Sequence, residues 1–216
     1  MSNQMKVVGI SGLAGSGKDL FYELCRKELL LKGFNPCQVA LANELKEECK
    51  KASLELFNID PTKCNREQKS KIRDFLVFYG LVKRLDSQGQ HWTSRADIKI
   101  KELSDNCAVH GVPNPVCFVT DIRYDKYKKD ECYWIKNKTE GILVHLRKKN
   151  LYYDDNLSQT YVYETPANKQ EAINDPKLRK KADVCIEWPD CKGDASLQAS
   201  YLKPAAQAFV EKFILK

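Results

Sequence analysis

The residues with the most specific chemistry form a glycine-rich run near the start of the chain. Residues 12–19 read GLAGSGKD, which follows the pattern G-x-x-x-x-G-K. Glycines let a backbone wrap closely around a phosphate, and successive N–H groups of such a loop point at it. A helix that begins there adds its positive dipole end, and Lys18 adds a mobile charge for a nucleotide's β- and γ-phosphates. The run predicts a nucleotide phosphate site made of Gly12, Ala14, Gly15, Ser16, Gly17, Lys18, Asp19 and Leu20.

Asp19 occupies the last position of this run, where Ser or Thr is usual. The usual hydroxyl ligates Mg²⁺, and a carboxylate can do so directly or through water. Asp19 can also act without a metal, because a negative charge is stabilising at a helix N-terminus. The sequence therefore predicts a magnesium ligand at Asp19 and leaves the purely electrostatic alternative open.

A second group of polar residues, Asp121 and Arg123, directly follows the apolar run 116–120. In an open α/β sheet, ligands collect outside the carboxyl ends of the strands. An aspartate there can hold magnesium-bound water or orient an acceptor, and an arginine can bind phosphate with two hydrogen bonds. We expect both residues to be catalytic and to bind substrate, with a solvated turn and a local ion pair as the structural alternative.

The strongest helical pattern, residues 66–85, carries a stripe that is distinct from its apolar face. Arg73, Val77, Gly80 and Arg84 follow one another at spacings of four, three and four, which places them on one side of a helix. A glycine inside a helix costs about 1 kcal/mol relative to alanine, so it usually permits a close approach. We expect Arg73 and Arg84 to bind an anionic substrate beside that glycine; a solvated basic face is the alternative.

Trp92 and Arg147 complete the candidate residues. Trp92 can stack on a base of the substrate or belong to the core, and the sequence favours neither role. Arg147 ends the apolar run 142–146 and can stabilise the charge of a phosphoryl group during transfer, so we expect it to be catalytic.

Short apolar segments alternate with amphipathic ones, which is typical of a parallel sheet covered on both sides. Strands are predicted at 7–10, 37–42, 116–120, 142–146 and 184–187, and helices at 18–32, 44–57, 66–85, 92–109 and through the C-terminus. The polar segment 148–181 shows little periodicity, which predicts a mobile lid. The prediction is one domain, 1–216, with a three-layer α/β/α P-loop kinase fold and acceptor-binding helices at about 43–112.

The bulk composition narrows the class of protein. The chain has 216 residues, of which 43% are hydrophobic and 30% charged, and no apolar run approaches the roughly 20 residues of a membrane helix. The beginning lacks a signal-peptide core, so we expect a cytoplasmic protein. Its nine cysteines include no Cys-x-x-Cys pair, which favours reduced structural thiols. The net charge of +7 is spread along the chain and does not separate a phosphorylated small molecule from nucleic acid as the ligand.

The chain resembles the bacteriophage deoxynucleoside monophosphate kinases, within the nucleoside monophosphate kinase group of P-loop proteins. Four blocks carry the resemblance in the same order: residues 11–19, residues 40–46, residues 72–76 with Gly80, Arg84 and Trp92, and residues 119–123. The phage enzymes also place Asp after the lysine. Two positions depart from the family pattern: Leu20 stands where Thr is common, and the Glu usual after Asp-x-Arg is replaced by residues 125–127. The resemblance implies ATP-Mg²⁺ at the first block and a monophosphate at the third and fourth.

Together these features predict an ATP-dependent kinase whose acceptor is a (deoxy)nucleoside monophosphate. Kinases of another phosphorylated small molecule, such as dephospho-coenzyme A or phosphomevalonate, remain an alternative, as does a regulatory P-loop protein that is not a kinase. We expect ATP and Mg²⁺ as cofactors and no nucleic acid or membrane as partner. The oligomeric state stays open, with a homodimer as a candidate.

Overall fold

The computed structural model describes residues 5–153, 159–191 and 193–215. Its strands are β1 (Lys6–Ser11), β2 (Asn35–Val39), β3 (Pro115–Ile122), β4 (Ile142–Tyr153), β5 (Gln159–Tyr163) and β6 (Val184–Pro189). Its helices are α1 (Lys18–Leu31), α2 (Leu41–Phe57), α3 (Arg66–Asp86), α4 (Gln90–Val109), α5 (Glu131–Tyr133), α6 (Lys169–Lys181) and α7 (Ala195–Phe209). α5 and α7 continue as π-helical turns over Trp134–Lys138 and Val210–Ile214.

The strands form one mostly parallel sheet. β2, β3, β1, β4 and β6 lie side by side in that order and all pair in parallel, while β5 pairs with β4 in the antiparallel sense. Because β1, β3, β4 and β6 run in the same direction, their carboxyl ends meet at one edge. The segments that follow β1 and β3 are those for which the sequence predicts ligand-binding residues.

Helices cover both faces of the sheet, as the alternation of side chains along a strand requires. In β3, Val116 and Phe118 join a core with α1 and α7, whereas Cys117 and Val119 join a core with α4, α5 and α6. The fold is therefore mixed α/β with a mostly parallel central sheet and helices on both sides. All nine cysteines lie in the described part of the chain, and each is free.

Helices α2, α3 and α4 occupy the region for which acceptor-binding helices were predicted. Their own small core is formed by Cys49, Ile59, Ile72 and Leu76. At its edge, the carboxylate of Glu48 accepts hydrogen bonds from Tyr79 and Arg95 and pairs with Lys83 and His91. The bundle is thus tied together by one acidic residue of α2 that contacts side chains of both α3 and α4.

The segment 148–181 differs from the irregular structure expected from its sequence. β4 continues to Tyr153, β5 returns beside it, and α6 follows; the expected lid also includes residues 154–158, which lie outside the described residues. Only one of the three buried residues of α6 is apolar, Leu178; the others are Glu171 and Asn174. Hydrophobic periodicity therefore gave no signal for this helix. Its role as a mobile lid stays a prediction. None of the described helices is long and apolar enough to cross a membrane.

Candidate active site at the carboxyl ends of the strands

The glycine-rich run forms a tight loop between β1 and α1, with a backbone that only glycine adopts readily. Gly12, Gly15 and Gly17 have φ angles of 136°, 87° and 90°. A Cβ on Gly12 would lie 2.4 Å from the carbonyl oxygen of Leu146 and 2.6 Å from Oγ of Ser16. The loop is therefore packed directly on the middle of β4, and Gly12 is required by space as well as by its dihedral angles.

Trp188 of β6 supports this loop from below, a role that the sequence did not reveal. Its indole N–H donates to the carbonyl oxygen of Ser16 at 3.0 Å, and its ring would lie 2.6 Å from a Cβ on Gly17. Oγ of Ser16 is buried and has no hydrogen-bond partner among the described residues. Buried hydroxyls are nearly always paired, so Oγ of Ser16 is an exception in this loop.

Lys18 folds back over the loop that precedes it. Its ammonium donates to the carbonyl oxygens of Gly12 at 2.9 Å and Leu13 at 2.7 Å, and the residue is only 8% exposed. Burial, together with repulsion from Arg123, lowers the pKa of Lys18 to about 8. The ammonium is thus a poorly solvated cation held by neutral acceptors, and an anion placed on the loop would be a stronger partner.

Asp121, at the end of β3, fixes the start of α2. Its carboxylate accepts hydrogen bonds from the backbone N–H groups of Leu41 at 2.8 Å and Ala42 at 2.7 Å. Burial raises the pKa of Asp121, while these two hydrogen bonds and the charges of Arg123 and Lys18 act in the opposite direction. The residue therefore joins β3 to the α2–α4 bundle.

Arg123 is the most accessible of the predicted catalytic residues, with 42% of its side chain exposed. Its guanidinium pairs with Glu171 of α6 at 3.1 Å. The carboxylate of Glu131 accepts from the backbone N–H groups of Arg123 at 2.6 Å and Tyr124 at 2.9 Å. Glu131 therefore supplies a glutamate beside the Asp-x-Arg segment, although residues 125–127 replace the Glu that the resemblance led us to expect there.

Arg84 lies in a buried ion cluster and is not exposed at the site. Its guanidinium pairs with Asp130 and, at 2.5 Å, with Glu131, and it stacks on the ring of Tyr124 at 3.8 Å. All three charged side chains are less than 5% exposed. Burial and the neighbouring charge of Asp130 raise the pKa of Glu131 to about 7 despite Arg84. Arg84 thus holds the segment after β3 in place.

The two other predicted substrate residues lie on the helices rather than at the strand ends. Arg73 is exposed on α3. Trp92 is 4% exposed, donates its indole N–H to the carbonyl oxygen of Gly80 at 3.3 Å and packs edge-on against His91. A stacking role for Trp92 stays a prediction, and it would require α3 and α4 to separate.

Arg147, the last of the predicted catalytic residues, lies on β4. Its guanidinium stacks on Tyr163 of β5 at 3.2 Å and lies 3.6 Å from a carboxylate oxygen of Glu187. Two residues before Arg147, His145 contacts Oγ of Ser11 at 3.1 Å through Nδ1. Burial and the positive charges of Arg179, Arg147 and Lys18 lower the pKa of His145 to about 4. Its neutral ring therefore packs against the residue of β1 that immediately precedes the glycine loop.

Glu164, just after β5, lies close to the open side of the loop. Its Oε1 would be 3.8 Å from a Cβ on Gly15 and is 3.8 Å from the ammonium of Lys148. Burial raises the pKa of this carboxyl, and Oε2 has no hydrogen-bond partner among the described residues. A carboxylate thus lies beside the loop that the sequence predicts to bind phosphate.

The predicted magnesium ligand, Asp19, is exposed in the first turn of α1. Among the described residues no group of three or more His, Cys, Asp or Glu is placed to hold a metal. Mg²⁺ usually keeps several waters and takes one or two carboxylates together with substrate phosphates. The oxygen donors of Asp19 and Asp121 fit that mode of binding. Leu20, in the first turn of α1, packs against the core and offers no hydroxyl.

Comparison with known proteins adds no family to this description. No family model matches the chain, and no curated protein matches it.

Proposed function

We propose that the chain is a P-loop kinase that transfers the γ-phosphoryl group of ATP to a (deoxy)nucleoside monophosphate. The observation that carries the proposal is the position of Lys18, buried and folded over a glycine loop, with Arg123 after the adjacent strand near enough for its charge to lower the pKa of Lys18. Phosphoryl transfer is catalysed mainly by positioning and charge neutralisation, which this arrangement of cations can supply. The resemblance to the bacteriophage deoxynucleoside monophosphate kinases supports the choice of acceptor.

On the donor side, the backbone N–H groups of residues 12–19 would bind the β- and γ-phosphates. Lys18 would exchange its two carbonyl partners for phosphate oxygens, and Oγ of Ser16 would gain the partner that it lacks. Asp19 and Asp121 would hold Mg²⁺, which would neutralise phosphate charge when bound.

On the acceptor side, Arg123 would leave Glu171 and bind the monophosphate. Arg73 is a second candidate for that phosphate because its side chain is exposed on α3. Arg84 would act indirectly, since its ion pairs fix the backbone that carries Arg123. Arg147 would face the transferring group and reduce its charge, and the β4–β5 hairpin would exclude water.

The test is ADP release from ATP-Mg²⁺, measured with a coupled assay across ribo- and deoxynucleoside monophosphates, dephospho-coenzyme A and phosphomevalonate. Lys18→Ala is the active-site variant. Lys27→Ala is its matched control, because it removes the same charge from an exposed position of α1. We expect turnover that depends on a nucleoside monophosphate, falls at least about 100-fold in Lys18→Ala and is unchanged in Lys27→Ala.

Two other results of this assay would change the proposed function. Turnover only with dephospho-coenzyme A or phosphomevalonate would keep the kinase and replace the acceptor. ATP binding or hydrolysis that no acceptor stimulates would contradict a kinase and favour a regulatory P-loop protein.

A further inference from the structure

A concavity of about 500 Å³ opens between the segment after β3 and the last turns of α6. We call it the lysine cavity. It is lined by Asp125, Lys126, Tyr127, Lys128, Lys177, Lys180 and Lys181. Five ammonium groups therefore share one concave surface with a single carboxylate.

The lysine cavity is separate from the candidate active site because the two use different faces of α6. Glu171 pairs with Arg123, and Asp175 lies 3.6 Å from the ring of His145, so this face is directed at the strand ends. At about 100° per residue, Lys177 and Lys180 project from the other side of the helix. Both are exposed.

The floor of the lysine cavity is held in place by its own hydrogen bonds. The carboxylate of Asp130 accepts from the backbone N–H groups of Lys126 at 2.9 Å and Tyr127 at 3.2 Å. The backbone N–H of Asp125 donates to Oδ1 of Asn174 on α6 at 3.1 Å. The loop and the helix are thus tied to each other, and their lysines are brought together before any ligand binds.

Among the residues that line the lysine cavity, five ammonium groups face a single carboxylate. Its one carboxylate, Asp125, pairs with Lys181 at 2.7 Å, and burial of Asp125 leaves that oxygen little access to other partners. A concave surface of one sign concentrates counterions, and clustered ammonium groups bind phosphate as point charges. Its volume falls within the range of small-ligand sites, whereas an extended polymer would favour a groove or stripe.

We propose that the lysine cavity binds a multiply charged phosphate anion of nucleotide size, at a site distinct from the glycine loop. The proposal does not depend on kinase activity, because it concerns other residues. It goes beyond that activity by giving the protein a second site for phosphate compounds, at which free nucleotides or polyphosphates can bind.

The test is isothermal titration calorimetry of inorganic tripolyphosphate with Lys18→Ala protein. This substitution removes the cation of the glycine loop and so weakens any binding of tripolyphosphate there. The same titration is run on protein that also carries Lys128→Ala and Lys180→Ala, and on a control that carries Lys51→Ala and Lys69→Ala instead. Both pairs are exposed lysines and remove two charges, so non-specific attraction changes equally. Loss of two ammonium–phosphate contacts is expected to weaken binding at least about tenfold, and the control to stay within about twofold.

A single-stranded DNA 12-mer, titrated in parallel, distinguishes the source of the phosphate groups. Weaker binding of tripolyphosphate in the Lys128→Ala and Lys180→Ala protein, with DNA unaffected, supports the proposal. Equal losses in both lysine pairs, or no binding to Lys18→Ala protein, would overturn it. So would DNA binding that needs Lys128 and Lys180 without any binding of tripolyphosphate, since the surface would then recognise a polymer.

Discussion

The sequence position of Arg84 suggested substrate binding, whereas the structure places it in a buried ion cluster that stabilises the fold. Replacing Arg84 by methionine distinguishes these two roles. Arg84→Met keeps much of the side-chain volume and removes the charge. Asp130 and Glu131 would then stay in a buried position without a cationic partner. We expect a large loss of folding stability, and any loss of activity to follow from it through displacement of Arg123.

The magnitude follows from the burial of the ion cluster. Removing one member of a buried ion pair typically costs about 3–5 kcal/mol, because the remaining charge is uncompensated. Glu131 retains its bonds from two backbone N–H groups, and its pKa of about 7 lets it take up a proton, which limits the cost. We therefore expect a decrease of about 3 kcal/mol in the free energy of unfolding at pH 8 and a smaller decrease at pH 6.

Urea unfolding followed by tryptophan fluorescence and circular dichroism measures this change. Combining Arg84→Met with Glu131→Gln removes one of the two stranded charges and should recover at least about 1 kcal/mol. Arg73→Met is the matched control, since Arg73 is an exposed arginine of the same helix, and it should change the free energy of unfolding by less than about 0.5 kcal/mol. If Arg84→Met were as stable as Arg73→Met, a structural role for Arg84 would be refuted.

Three further changes test the support of the candidate site. Gly17→Ala places a Cβ 2.6 Å from Trp188 at a φ of 90°, so we expect a loss of roughly 2–4 kcal/mol by urea unfolding and altered tryptophan fluorescence; an unchanged midpoint would contradict the packing. Asp121→Asn leaves one N–H at the start of α2 without its acceptor and should cost about 1–2 kcal/mol, whereas no measurable loss would exclude the cap. His145 has a folded pKa of about 4, below its ordinary 6.5, so the unfolded chain binds its proton first as the pH falls. The wild type should therefore lose up to about 3 kcal/mol between pH 6.5 and 4 relative to His145→Gln, and parallel stability curves of the two proteins would refute a buried neutral ring.

The sequence predicted those elements whose burial is apolar. The helix expected at 66–85 is found at Arg66–Asp86, and the strand expected at 116–120 lies inside Pro115–Ile122, because their apolar side chains follow the periods of 3.6 and 2 residues. β2 was expected to extend to residue 42, but it ends at Val39 because Asp121 caps a helix that begins at Leu41. α5, β5 and α6 were not predicted. α6 buries polar groups whose partners come from distant parts of the chain, and no local pattern shows them.

For the candidate site too, the sequence predicted some residues and missed others. Lys18 begins α1 after the glycine loop, and Asp121 and Arg123 stand at and just after the end of β3, so a local motif was enough to predict them at the sheet edge. Trp188 contacts the glycine loop from a position 172 residues away, so only the tertiary structure brings it there. Glu131 lies eight residues after Arg123 and was missed although it is close in sequence. For Glu131 a signal did exist, because an acidic pair precedes the apolar run 132–135 and needs a cationic partner if it is buried.

The cations of the candidate site already have partners within the protein, and this affects how tightly a ligand can bind. Lys18 donates to two carbonyl oxygens and Arg123 to Glu171, so an incoming phosphate exchanges contacts and does not simply add them. The exchange is favourable for Lys18, since a charged acceptor replaces neutral ones. For Arg123 one anion replaces another, and the free energy gained depends on how well Glu171 is solvated once it is released.

Because Glu171 is 9% exposed and also accepts from the backbone N–H of Ala167, its release requires movement of the start of α6. Binding at Arg123 should therefore be coupled to α6, and substituting Glu171 by Gln should tighten acceptor binding while weakening that coupling.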